Sequence, residues 1–243
     1  MSLPIVAVVD TGVDDALALV VAARHPAVDL RGVVCTAGNV PLPRVLANTQ
    51  YVLDLIGAKA PVAVGAAHRL DGGRFGDRSV HGPDGLAGLG PPDAPTWLRV
   101  VGAEPRNTAG PAVVRLDKSG EIAVADLVTP DTFVVSLGPL TPLVGVPAGR
   151  IVASYSRRGE ANYEMDPAAA EAVAVDHADV PDHPVPITPG EGPVGELVRG
   201  LLRHQRHRGA GLGDAAVMLH IAEPDLDRGR WARRLQTLAA RRD

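Results

Sequence analysis

Strand, helix, strand is how the first 36 residues read, and that alternation limits the fold more than any other feature. PIVAVV (4–9) is a short apolar run rich in β-branched residues, stopped by Asp10-Thr11-Gly12. Residues 14–24, DDALALVVAAR, carry helix-favouring Ala and Leu, with two acids in the first turn where the helix dipole favours negative charge. A second apolar run, Leu30–Thr36, ends in Ala37-Gly38-Asn39. Two strands joined through a helix lie parallel with a right-handed crossover, so the chain begins with a βαβ unit.

The alternation continues. Residues 42–56 place Val45, Leu46, Thr49, Val52, Leu53 and Ile56 on one helical face, and Pro61–Gly65 reads as a third strand. Scattered Gly and Pro make 68–95 loop-like. Short β segments are predicted at 111–116 and 121–127, and TFVVSL (132–137) is a buried strand closed by Gly138-Pro139. Ile151–Ser154 is one more strand, with helices at 166–176, 194–207 and 214–222. No repeat and no linker divides the chain, so the pattern predicts one α/β domain over 1–243, an open, mostly parallel sheet flanked by helices.

Composition narrows the function. With 24 basic and 28 acidic residues, a net charge of −4 does not suit bulk nucleic-acid binding. One cysteine, Cys35, supports neither an internal disulfide nor a multi-cysteine zinc site, and its place in a predicted strand suggests packing. No apolar run is long enough to span a bilayer and no signal-peptide pattern opens the sequence, so a soluble cytoplasmic protein is expected. The core must be built from Ala, Val and Leu, because only Trp 2, Tyr 3 and Phe 2 supply aromatic rings. The arginine-rich stretch 228–242 reads as a solvated terminal helix.

In an open α/β sheet, ligands bind beyond the carboxyl ends of the strands. Polar residues gather there: Asp10, Asp14 and Asp15 after the first strand, Asn39 after the second, His81 well after the third, and Glu160 and Asn162 after the last. Three carboxylates around one glycine turn repel unless a cation lies among them, and hard oxygens suit Ca²⁺ or Mg²⁺. The same acids also suit a helix start, with Asp14 and Asp15 serving the cap and dipole. Those residues alone leave the two readings balanced.

VVDTGVDDALAL, VVCTAGNV and HGPDGL resemble, in that order, the motifs of the nucleoside hydrolase family of inosine-uridine preferring type, whose signature is DTDPGxDDALAL. SLGPLT at 136–141, GEANYEMDPAAA at 159–170 and LGDAAVMLHIAEP at 212–224 extend the resemblance over most of the chain. It implies a Rossmann-type core and one Ca²⁺ held by Asp10, Asp15, the Leu137 carbonyl and Asp214. The ion would bind the ribose hydroxyls and the attacking water, with Asp10 as general base. Asp14, Asn39, Glu160 and Asn162 match the ribose-binding positions, and His81 a histidine near the base. Members are commonly dimers or tetramers, so a homo-oligomer acting on a nucleoside-like small molecule is implied.

The chain also departs from that pattern. Val8 stands where the signature has its first acid, Thr11 where it has proline, and Pro142 predicts a shortened helix after the GPLT turn. Gly213 replaces a histidine that often protonates the leaving base; His81 is the nearest substitute, while His204 and His207 sit in an Arg-rich helix read as solvated. The leading reading is a divergent metal-dependent hydrolase of an N-ribosyl bond. The alternative is a non-hydrolytic nucleoside- or ribose-binding relative, or an enzyme recruited to another reaction at the anomeric carbon. A haloacid-dehalogenase-type start ranks last, because Thr11-Gly12 denies it a second acid two residues after Asp10.

Overall fold

A computed structural model of the chain describes residues 2–75, 79–92, 124–178, 187–211, 213–226 and 228–240. Its centre is β1 (Leu3–Val9), where Ile5 through Val9 are fully buried. A strand buried on both faces belongs in the middle of a parallel sheet, which explains why PIVAVV is apolar throughout rather than alternating. β2 (Val28–Cys35) and β3 (Val62–Val64) lie to one side, and β4 (Phe133–Ser136), β5 (Arg150–Ala153) and β6 (Asp176–His177) to the other. The order is β3-β2-β1-β4-β5-β6, and every neighbouring pair is parallel. The α/β architecture is as the alternation predicts.

Side chains alternate across β1. Ile5, Ala7 and Val9 face the larger core, with α1 (Val13–Arg24), α2 (Leu42–Leu55), α6 (Gly192–His207), α7 (Asp214–Ala222) and α8 (Arg228–Ala240). Helix α1 is buried on nearly all sides, which is why DDALALVVAAR shows no polar stripe. Val6 and Val8 face a thinner layer of Val34, Val134, Leu140, Leu143 and Ile151. The carboxylate that the family signature places at position 8 would lie in this apolar layer, so valine is the residue the local packing favours.

Three expectations need correction. Residues 121–127 do not form a strand in their described part: 124–127 is a single helical turn, α3 (Val124–Leu127). Its Val124, with Val128 beyond it, is buried in the thin apolar layer, and a short apolar run cannot distinguish strand from buried helix by pattern alone. The helix expected over 166–176 stops at Ala172, as α5 (Pro167–Ala172) after α4 (Ala161–Met165). Val173 turns extended and the chain enters β6, where Asp176 pairs with Val152. The C-terminal helix is not simply solvated, since Trp231, Leu235 and Leu238 are buried against the main core. Arg24 Nη1 donates to the Leu238 carbonyl at 3.2 Å, and Glu223 receives both His25 and Arg234, so α8 is tied to the start of the molecule. Pro142 has the predicted effect, a 3₁₀ turn over Thr141–Leu143 in place of a longer helix. The segment 111–116 lies outside the described residues.

Candidate active site

Asp10 follows β1 directly, and its Oδ2 accepts the Asn39 backbone N–H at 2.7 Å. The fit needs glycine at position 38, where a Cβ would overlap that carboxylate oxygen. Asp14 and Asp15 occupy the first turn of α1, and Asp214 begins α7. Carboxylate oxygens of Asp14, Asp15 and Asp214 lie within 4.8 Å of one another. Asp10 borders this trio closely enough to act on Asp15 electrostatically.

Asp15 decides between capping a helix and holding a cation. Its Oδ2 accepts the Gly12 N–H at 2.8 Å, which is the capping role. Its Oδ1 is buried without a hydrogen-bond partner, which capping does not explain. Burial, followed by the charges of Asp10, Asp214 and Asp14, pushes this carboxyl well above the usual range. A buried oxygen with no donor, among like charges, is the signature of a place for a positive ion. The donor set is all oxygen, which suits a hard divalent cation.

The opposite wall comes from β4 and β5. Ser154, the residue after β5, donates its hydroxyl to Asp214 Oδ1 at 2.6 Å and so orients that carboxylate. Asn162 Nδ2 donates to the Leu137 carbonyl at 2.7 Å and to the Ser154 carbonyl at 3.0 Å. Leu137 O, expected as a metal ligand, thus also serves to seat Asn162; a carbonyl has a second lone pair for another partner. Glu160 is turned to its own loop, accepting from Arg157 N at 2.7 Å.

His81 closes a 3₁₀ turn (Ser79–His81) and is almost fully buried. Its Nδ1 accepts the Val13 N–H at 3.1 Å and lies 3.6 Å from Asp14 Oδ1, so Nε2 carries the proton of the neutral ring. Burial holds its pKa below the ordinary value against the pull of Asp14. The turn is gripped from α6: His204 Nε2 lies 2.9 Å from the Val80 carbonyl, and Arg208 Nη1 donates to the same oxygen at 2.9 Å. His204 is therefore not a solvated side chain, whereas among the described residues the exposed His207 bonds its own helix, at Arg203 O. Cys35 is fully buried, and that burial pushes its thiol up to about 12, so it packs rather than reacts.

The sequence profile of the inosine-uridine preferring nucleoside hydrolases matches residues 5–145. The chain belongs to this family. The non-specific ribonucleoside hydrolase RihC of Escherichia coli (strain SMS-3-5 / SECEC) is 27% identical over 253 residues, covering 93% of this chain and 81% of its own. The pyrimidine-specific ribonucleoside hydrolase RihA of Escherichia coli O1:K1 / APEC is 32% identical over 184 residues, 71% of this chain and 57% of its own. Among solved structures, the purine-preferring ribonucleoside hydrolase from Gardnerella vaginalis superposes with a TM-score of 0.66 at 18% identity, over 97% of this chain and 98% of that one. As a member of a family of N-glycosidic bond hydrolases, the chain is an N-ribosyl hydrolase by class. The three relatives carry three different base preferences in their names, so family membership leaves the base open.

Of the residues singled out in the sequence, Asp14, Asp15 and Asp214 meet in one cluster, with Asp10 and His81 at its border. Asn39 reaches Asp10 through its backbone, Asn162 braces the wall, and Glu160 faces its own turn. The sequence reading passes over Ser154: it takes Ile151–Ser154 as strand, whereas β5 ends at Ala153 and Ser154 stands just beyond it, where its hydroxyl reaches Asp214.

Proposed function

We propose that this protein hydrolyses the N-glycosidic bond of a ribonucleoside or a related ribosyl compound, releasing the free base and ribose. The observation that carries this reading is the partnerless buried Asp15 Oδ1 among Asp10, Asp14 and Asp214, at the carboxyl end of the central strand. The ribonucleoside hydrolases it resembles lend it support.

Asp15 and Asp214 would hold a hard divalent cation, which the all-oxygen donors suit and which the family resemblance makes Ca²⁺, with Asp10, Asp14 and the Leu137 carbonyl beside it. When bound, such an ion offsets the cluster's repulsion and acidifies a water. Asp10, steadied by the Asn39 N–H, is the general base. The water oxygen bonds to the anomeric carbon while the carbon–nitrogen bond breaks and its electron pair leaves with the base. One water proton passes to Asp10, and the departing base takes up a proton.

Positive charge grows on the sugar as the bond breaks, and the surrounding carboxylates stabilise it. Asp14 and Asn39 serve the sugar hydroxyls. Asn162, whose amide nitrogen is committed to two carbonyls, offers its oxygen as an acceptor. Glu160 joins them by exchanging its bond to Arg157 N for a hydroxyl. His81 presents Nε2–H as a neutral donor to the base. The unpaired Cys35 suits a reducing compartment, and we place the reaction in the cytoplasm.

The test is incubation with purine and pyrimidine ribonucleosides in Ca²⁺, and again after chelation. Equal amounts of base and reducing sugar, released only with the ion, support the reading. Ribose binding without release across the panel overturns it in favour of a non-hydrolytic relative, the class to which Val8 and Gly213 point.

A further inference from the structure

Asp166 is a carboxylate only 1% exposed, and the steps of the hydrolysis leave it unused. A buried carboxylate needs donors, and three segments supply them. Its Oδ1 accepts Ala169 N at 3.2 Å and so caps α5, an ordinary role for an aspartate just before Pro167. Capping does not account for the other oxygen. Oδ2 accepts the Thr141 hydroxyl and Leu70 N, each at 2.7 Å, from 25 and 96 residues away. The turn after β4 and the loop after β3 thus meet on one atom.

The Thr141 bond is one of a pair. Asn162 Nδ2 donates to the Leu137 carbonyl at 2.7 Å, and Thr141 Oγ1 donates to Asp166 at the same distance. The second bond joins positions 141 and 166, four beyond positions 137 and 162 on both sides. The two are successive rungs between the segment 137–141 and helix α4. One side of this ladder is fixed to the sheet, since Leu137 N donates to the Val8 carbonyl at 2.8 Å. That side also backs onto the proposed base: a Cβ on Gly138 would come 3.0 Å from Asp10 N and Oδ1.

The other side is less secure on its own. Helix α4 has 5 residues, too few to hold their place through internal hydrogen bonds alone. Its anchors lie at its two ends: Asn162 N donates to the Tyr155 carbonyl at 2.9 Å at the start, and Asp166 takes the Thr141 hydroxyl at the finish. We propose that Asp166 is a positioning residue: through Thr141 it holds α4 at the spacing that seats Asn162 on the Leu137 carbonyl, and so sets how well the sugar-binding wall receives its ligand. This inference rests on the hydrolase reading above, which gives Asn162 its sugar contact.

The substitution is made at Thr141, because replacing Asp166 would also remove the α5 cap. Thr141→Val keeps the shape and removes the rung, whereas Thr141→Ser keeps the hydroxyl. With Ca²⁺ and a ribonucleoside, Thr141→Val is expected to raise KM about tenfold with kcat within about threefold, and Thr141→Ser to stay within about twofold of wild type. No change in Thr141→Val, a loss confined to kcat, or a loss that Thr141→Ser shares overturns the inference. Solvent exchange of the Asn162 side-chain amide protons, followed by NMR, reads the placement without turnover. It should be about tenfold faster in Thr141→Val and the same as wild type in Thr141→Ser. Unchanged exchange in Thr141→Val also overturns the inference. If wild type cleaves no ribonucleoside, the hydrolase reading falls, and the exchange rates alone decide whether Asp166 places Asn162.

Discussion

Replacing Asp15 with asparagine separates what the cluster costs the fold from what it supplies to the chemistry. The amide oxygen can keep the bond from Gly12 N, and its nitrogen takes the place of the partnerless Oδ1, now as a donor facing carboxylates. Two charges no farther apart than the 4.8 Å that bounds the Asp14, Asp15 and Asp214 oxygens repel by at least about 3 kcal/mol at an effective dielectric constant of 20. The wild-type cluster escapes part of that by keeping a proton, as the raised Asp15 carboxyl indicates. The net relief is therefore about 2–4 kcal/mol, which for a chain of this length raises the unfolding midpoint by about 5–15 °C in EDTA. The pH dependence follows with a definite sign. Between the ordinary carboxyl value and the raised one, the folded wild type binds more protons than the unfolded chain, so its stability falls as pH rises through that window. Asp15→Asn flattens that slope. Calorimetry with Ca²⁺ completes the test: an ion at 100 times its Kd stabilises wild type by about 2.7 kcal/mol, and the variant gains far less. Its kcat/KM falls more than about a hundredfold. A variant less stable than wild type in EDTA, or one that gains as much from Ca²⁺, would refute the reasoning.

Other perturbations probe the surrounding parts. Ser154→Ala removes the 2.6 Å bond to Asp214 and is expected to weaken Ca²⁺ affinity by about 10- to 100-fold, measured by calorimetric titration. His81 has a folded pKa below its ordinary value, so below about pH 6.5 the unfolded chain takes a proton that the folded one resists, and stability drops. His81→Gln should reduce that acid-side slope of the midpoint against pH; an unchanged slope would count against a neutral buried imidazole. Cys35, pushed up to about 12, should resist a maleimide at pH 8 in the native protein and react on unfolding, as followed by mass spectrometry.

The parallel sheet was legible because each central strand is buried on both faces, and such strands show as unbroken apolar runs between Gly- or Asp-marked turns. β6 was not, since two exposed residues, Asp176 and His177, carry no hydrophobic signal and owe their pairing to β5. Helix α3 was hidden by the ambiguity of a short apolar segment, and the burial of α8 by arginines that dominate its composition while Trp231, Leu235 and Leu238 make its contacts. At the site, charge was readable and orientation was not. Asp10, Asp14 and Asp15 stand out by type and spacing and Asp214 only through the family resemblance, but the partnerless oxygen of Asp15 and the reach of Ser154 depend on strands distant in sequence.

Asp10→Ala tests the central claim most directly. Its side chain lies beside the Asp14, Asp15 and Asp214 cluster and is oriented by Asn39 N, so its loss should remove the base while the sheet and the sugar site persist. With saturating Ca²⁺ and a ribonucleoside that wild type cleaves, base release should fall by at least about a thousandfold. Ribose binding should remain. A variant that still releases base within about tenfold of the wild-type rate would contradict the assignment of Asp10 and, with it, the hydrolytic mechanism built on this cluster.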